Sequence, residues 1–124
     1  MNILLDAVWK AQKETVEMDH WAQRYPTNTE DVARVCLDLA QKHIDEPFSL
    51  PQILQFSSED RLTKYEMCQI IAEILGLSLA SMNAITDGGN PKAGVQRPYD
   101  THLSTQALVD MAIDIRTQDF RAWW

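Results

Sequence analysis

The residues best equipped for chemistry fall in two stretches. One carries Asp19, His20, Gln23, Arg24 and Tyr25, and the other carries Arg97, Asp100 and His102. An imidazole exchanges protons near neutral pH, so His20 and His102, together with Asp100, are the candidate acids and bases. The Arg97 guanidinium is a planar fork suited to holding a carboxylate or phosphate through two hydrogen bonds. Trp21, Tyr25 and Tyr99 supply aromatic walls, and with Gln23, Arg24 and Arg97 they form the candidate ligand-contacting set. A plainer alternative stands beside this one. Arg97 then pairs with Asp19 or Asp100 and merely holds a loop, while Trp21 and Tyr25 pack.

Other chemistries find less support. No Cys or His pair has the spacing of metal ligands. Asp87 and Asn90 beside Gly88-Gly89 are only faintly like a calcium loop, with the wrong carboxylate count and no closing glutamate, so a turn is expected there. Cys36 and Cys68 both sit inside apolar helical patterns. They are expected as small buried core residues in a reducing compartment. His43 lies near a helix end, where a cation meets the negative pole of the helix dipole, and reads as a cap.

The elements that must position these groups can be read from spacing. Leu4, Leu5, Val8 and Trp9 fall at helical intervals over residues 3 to 13. Residues 19 to 27 lack a helical period, and an extended segment would put Trp21, Gln23 and Tyr25 on one face until Pro26 ends it. Thr27-Asn28-Thr29-Glu30 has the form of a capping box, followed by the stripe Val32, Val35, Cys36, Leu39 and Ala40, which predicts a helix over 29 to 43. Residues 53 to 58 read as a strand. Thr63-Lys64-Tyr65-Glu66 is a second capping box. Behind it run Met67, Ile70, Ile71, Ile74 and Leu75, with Gly76 placed to end the helix. Residues 82 to 85 form a short strand. Residues 86 to 103 make a long loop of the functional or mobile kind. Ser104 caps a third helix bearing Leu108, Met111 and Ala112. Phe120, Trp123 and Trp124 either anchor a partner or fold back onto the core.

Composition sets the background. In 124 residues, 45% hydrophobic and 23% charged content fits one ordinary globular domain. A net charge of −7 without a basic stripe speaks against nucleic acid. No segment approaches a membrane span, and the apolar run at Ile3-Leu4-Leu5 is broken by Asp6 well short of a signal peptide. A soluble cytoplasmic protein with no membrane partner is the expectation.

Three stretches taken in order carry a family resemblance. They are Met18 to Thr27 with Asp31-Val32-Ala33, then Leu62-Thr63-Lys64-Tyr65-Glu66-Met67, then Ile85-Thr86-Asp87 with Gln96-Arg97-Pro98 and Leu103. From about residue 18 to 121 the chain resembles the regulatory beta subunits of methionine adenosyltransferase, within the extended short-chain dehydrogenases/reductases. The dTDP-4-dehydrorhamnose reductases share the Pro-Thr and Arg-Pro features more loosely. The resemblance implies an α+β chain: the partial, C-terminal and substrate-side half of an extended short-chain reductase. About four helices and two or three short strands are expected, with residues 1–124 as a single substrate-binding lobe. It places the Asp19–Tyr25 and Arg97–His102 stretches on one cleft. It also makes 53 to 58 a strand of a larger parallel sheet.

The same resemblance shows what the sequence does not contain. There is no Gly-x-Gly-x-x-Gly turn to bring a helix N-terminus to a pyrophosphate. There is no Tyr-x-x-x-Lys either, since Tyr25, Tyr65 and Tyr99 are followed four residues on by Thr29, Gln69 and Leu103. No nicotinamide cofactor is therefore expected, and no metal. The tail is shorter than in the beta subunit, where the resemblance implies contact with the catalytic subunit. A lone substrate lobe leaves a strand edge and apolar faces uncovered, so a homodimer or a protein partner is expected over the missing dinucleotide-binding face. Three functions follow: a non-catalytic regulatory module with methionine adenosyltransferase as partner; a cofactor-independent isomerase, cyclase or dehydratase using the remnant cleft for a small-molecule ligand; or a fragment of a full-length reductase.

Overall fold

In a computed structural model of the chain, residues 3–47, 49–88 and 96–124 are described. The elements run α1 (Ile3–Lys10), β1 (Val16–Asp19), α2 (Thr29–Asp45), α3 (Lys64–Leu75), β2 (Met82–Ile85), α4 (Gln106–Asp110) and α5 (Phe120–Trp123). They fall into two compact units: Met1–Arg24 with Arg61–Thr101 and Trp124, and Tyr25–Asp60 with His102–Trp123. The architecture is a small α+β arrangement. Among the described residues it has five helices where four were expected, and a single two-stranded sheet.

The first unit is built on an apolar core. β1 and β2 pair in parallel with Val16 beside Met82 and Met18 beside Ala84. Parallel neighbours need a long crossover, here the chain from residue 20 to residue 81. α3 begins and ends as its sequence predicts. Thr63 Oγ1 accepts the Glu66 N–H at 3.2 Å, and Glu66 Oε2 accepts the Thr63 N–H at 2.7 Å. Gly76 ends it in the left-handed region at φ 65°, a conformation that penalises any side chain. Met67, Cys68, Ile71 and Ala72 are the residues that α3 buries, and Cys68, Ile71 and Ala72 form one cluster with Val8, Ala11, Met18 and Met82. Leu4, Leu5 and Trp124 pack around this cluster, while Trp9 is exposed, so the inward stripe of α1 is narrower than expected.

The second unit is held differently. Among its described residues the buried apolar side chains are Val35 and Leu108, and Asn28, Asp31, Ser57, Ser58 and Thr105 are buried too. α2 is not started by the expected capping box. Asn28 is its cap, with Oδ1 accepting the Glu30 N–H at 2.9 Å. Thr27 is occupied elsewhere: its hydroxyl donates to Tyr25 O at 3.0 Å and accepts the Ser58 N–H at 2.9 Å.

No strand forms over 53 to 58. A strand persists only where its backbone finds a ladder, and both strands of this structure lie in the first unit. Ile53 is 78% exposed, and the Ser58 N–H is satisfied by the Thr27 side chain instead. α4 is only five residues long; Thr105 holds the cap position without a side-chain cap bond, and the expected Ser104 hydroxyl accepts the Gln106 N–H at 3.4 Å. Ala112 at φ 58° turns the chain away, so Met111 and Ala112 do not extend the helix. Cys36 is exposed, contrary to expectation, because the α2 face that carries it points to solvent.

Candidate functional site

β1 and β2 run parallel, so their carboxyl ends open on the same edge, the edge where ligands gather on parallel sheets. The His20 N–H continues the ladder to Ile85 O at 2.8 Å, and the chain then bends. Asp19 Oδ1 makes that bend by accepting the Trp21 and Ala22 N–H groups at 3.0 and 3.2 Å. Asp19 is thus a turn-former and makes no ion pair with Arg97 among the described residues. The Trp21 ring stands 5.0 Å from that of Tyr99, tilted by 59°. Its indole also lies against Gly88, where an added Cβ would come within 2.7 Å of Trp21 Cε2 and Cζ2. Gly88 is the residue type that permits this approach.

Gln23 ties the loop to this corner. Its N–H donates to Tyr99 O at 2.6 Å, its carbonyl accepts the Thr101 hydroxyl at 2.9 Å, and its amide donates to Trp21 O at 3.2 Å. Asp100 sits opposite it in an isolated bridge. Arg24 is fixed through its backbone, which exchanges two 2.9 Å bonds with Leu62. Arg97 is exposed on the loop and forms no ion pair among the described residues. His20 is held through Nδ1, 2.8 Å from Thr63 Oγ1, with its ring 5.0 Å from Tyr65. One hydroxyl thereby caps α3 and positions an imidazole. The expected turn at Asp87–Asn90 falls partly on residues 89–95, which lie outside the described residues.

Tyr25 and His102, the other two sequence-predicted residues, belong to the second unit. Their rings meet edge-on at 4.7 Å. His102 Nε2 lies 2.8 Å from Glu59 Oε2, and the Thr105 hydroxyl donates to Glu59 Oε1 at 3.2 Å. Glu59, Thr105, Thr63, Tyr65 and Gly88 were not singled out as site residues by the sequence. The second unit also has a cleft of about 100 Å³ lined by Pro26, Thr27, Asn28, Thr29, Gln118, Phe120 and Trp123. None of the sequence-predicted site residues lines it. The C-terminal aromatics are therefore divided: Phe120 and Trp123 wall a cleft, and Trp124 packs on the first unit's core. His43 is exposed, and the Glu46 N–H bonded to Lys42 O closes that end of α2.

Among the described residues three ionisable groups are displaced from their ordinary range, Arg116 being raised by its bonds to Asp114. Bonds from Arg116, with Arg34 assisting, hold the Asp114 carboxyl well below it. Burial pushes the Cys68 thiol up to about 11, against a smaller opposing pull from Lys64. No cluster of three His, Cys, Asp or Glu among the described residues has the geometry to hold a metal.

The RmlD substrate binding domain matches residues 3–123. The chain belongs to this family. It is thereby a member of the extended short-chain dehydrogenase/reductase superfamily. It is 38% identical over 117 residues to methionine adenosyltransferase 2 subunit beta of Bos taurus, covering 94% of this chain and 34% of that protein. The Xenopus tropicalis protein of the same name is 36% identical over the same shares, and that of Danio rerio is 34% identical over 109 residues, 87% of this chain and 33% of its own. The chain thus spans about a third of the length of these relatives. Within the RmlD family frame, the corner formed by His20, Trp21, Gln23, Gly88 and Tyr99 is the candidate site, and Glu59–His102 is a second constellation.

Proposed function

We propose that this chain is a non-catalytic regulatory module of the methionine adenosyltransferase beta-subunit type, and that its partner is a methionine adenosyltransferase. One observation carries this reading. Identity of 34–38% to proteins named as beta subunits runs across most of the chain and is not confined to one motif. The corner chemistry is consistent with it. Asp19 spends its carboxylate on the Trp21 and Ala22 N–H groups, and Gln23 bonds to Tyr99 and Thr101, which builds a firm surface for recognition. The test is co-expression with a methionine adenosyltransferase catalytic subunit, followed by affinity capture and assay of adenosyl transfer. Co-elution at fixed ratio with a changed rate is expected. Separate elution at micromolar concentration would overturn the proposal.

A second reading, a cofactor-independent isomerase, cyclase or dehydratase, rests on Glu59 and His102. A carboxylate 2.8 Å from an imidazole, itself steadied by Thr105, is the arrangement that orients a general base. Any turnover found should fall about 100-fold or more in His102→Ala. Equal loss in His20→Ala and none in His102→Ala would remove this pair from the chemistry.

A further inference from the structure

We infer that the outward face of α2 is a self-association surface whose occupant is a second copy of this chain, packed antiparallel. Of the stripe read from the sequence, Val35 is buried and Leu39 half-buried, while Val32, Cys36 and Ala40 are exposed. Arg34 and Asp31 make its inward polar contacts: Arg34 donates to Asp114 O and Arg116 O, and Asp31 accepts the Gln118 N–H at 2.8 Å. Ala33, Cys36, Leu37, Ala40 and Ile44 are left on the opposite side, within one helical face at 100° per residue. All five are exposed, Leu37 to 69% and Ile44 to 70%. No carboxylate interrupts this stripe over its length.

The order of sizes along the stripe selects the occupant. In an antiparallel pair with a two-fold axis level with the Asp38–Leu39 peptide, Leu37 of each copy lies over Ala40 of the other. In the same register Ala33 lies over Ile44. Every large side chain then meets a small one, the condition for interdigitation, and the two-fold makes the match occur twice. The flanking positions in that arrangement are Glu30 and Gln41 on one side and Cys36 and His43 on the other, so no like-charged pair is forced together. The stripe is one helix of 17 residues, narrower than the roughly 800 Å² per partner of a standard interface, so the dimer is weak, on the order of micromolar. The net charge of −7 opposes it at low salt, and added salt strengthens it.

Sedimentation velocity of the full chain across a concentration series, at low and moderate salt, tests this. The expected result is a reversible dimer that tightens with salt. Leu37→Glu should weaken it about tenfold or more while the circular dichroism spectrum is kept. Register is tested by a swap: Ala33→Ile and Ile44→Ala each weaken the dimer, and the two changes in one chain restore it. A monomer at every concentration, a dimer indifferent to Leu37→Glu, or a double variant no tighter than the singles would overturn the inference. Capture by a methionine adenosyltransferase is scored separately, so failure of either idea leaves the other standing.

Discussion

α2 and α3 carry nearly the same sequence signals and reach opposite outcomes. Both follow a polar cap, and both place apolar residues at three- and four-residue intervals. α3 turns its apolar face inward, with Met67, Cys68, Ile71 and Ala72 buried. α2 turns its charged face inward and buries only Asp31 and Val35. The two cysteines show the same contrast, Cys68 buried and Cys36 exposed. Helical periodicity identifies a face, but which side of it is covered depends on what the rest of the chain presents. α3 meets α1 and β1, which are apolar. The 114–118 segment offers α2 carbonyls, a carboxylate and an N–H, and those select Arg34 and Asp31 over Leu37 and Ile44.

The largest expected effect follows from this contrast. Ile71 is completely buried in the first unit's core. Replacing it with Ala removes its apolar contacts and leaves a cavity, so Ile71→Ala should destabilise by about 2–5 kcal/mol in urea denaturation. A loss below about 1 kcal/mol would mean that α3 is not the packed helix of the pair.

Cys68 gives a pH-dependent test of the same burial. Its thiol titrates near 11 in the folded chain against an ordinary 9.0. Below about 9 both folded and unfolded states hold the proton, and the contribution to stability is fully present. As pH rises from 9 towards 11 the unfolded state releases its proton first, so stability falls. The slope is about 1.4 kcal/mol per unit, roughly 2–3 kcal/mol in total. Lysines and tyrosines titrate in the same window, so the readout is the difference between wild type and Cys68→Ala. Identical pH profiles would sink the assignment. Native Cys36 should react rapidly with a thiol reagent under conditions where Cys68 does not.

In α2 the vulnerable side is polar. Asp31 is buried, accepts the Gln118 N–H at 2.8 Å and lies 3.9 Å from Arg34. Asp31→Ala leaves that N–H and part of the Arg34 charge without an acceptor, and should lower stability by about 1–3 kcal/mol. Asp31→Asn keeps an oxygen for Gln118 and should recover part of the loss. If both variants match wild type in thermal melts, the inward polar face is not what holds α2.

What the sequence disclosed follows the range of the interactions. The α3 capping box and Gly76 were legible because each depends on residues within four positions of itself, whereas the strand at 82–85 was legible from its residue types although its ladder partner, Val16–Asp19, is distant in sequence. The family was legible too, from motifs in order along the chain. The Thr27 capping box failed because a distant N–H, that of Ser58, claims the hydroxyl. The strand at 53–58 failed because β propensity supplies no ladder partner. At the site, Trp21, Gln23 and Tyr99 do come together. Thr63 beside His20 and Glu59 beside His102 each join residues 43 positions apart, which no local pattern encodes. Gly88 carried a signal that could have been used, since a glycine in a loop that also serves an aromatic corner marks a close approach.

The smallest expected effect is the most discriminating for the comparison. Leu37 and Ile71 are both large aliphatic residues inside a helix, and the stripe read from the sequence includes Ile71 but not Leu37. Leu37 is 69% exposed, so Leu37→Ala in dilute solution removes little buried area. Alanine's higher helix propensity roughly offsets what is lost, and the net change should stay within about 0.5 kcal/mol of zero. That near-null holds only where the chain is monomeric. At concentrations where two copies meet through α2, the same substitution should lower the melting temperature measurably, because dissociation then precedes unfolding. A concentration-independent loss of several kcal/mol would instead place Leu37 inside a folded core and remove the distinction between the two helices.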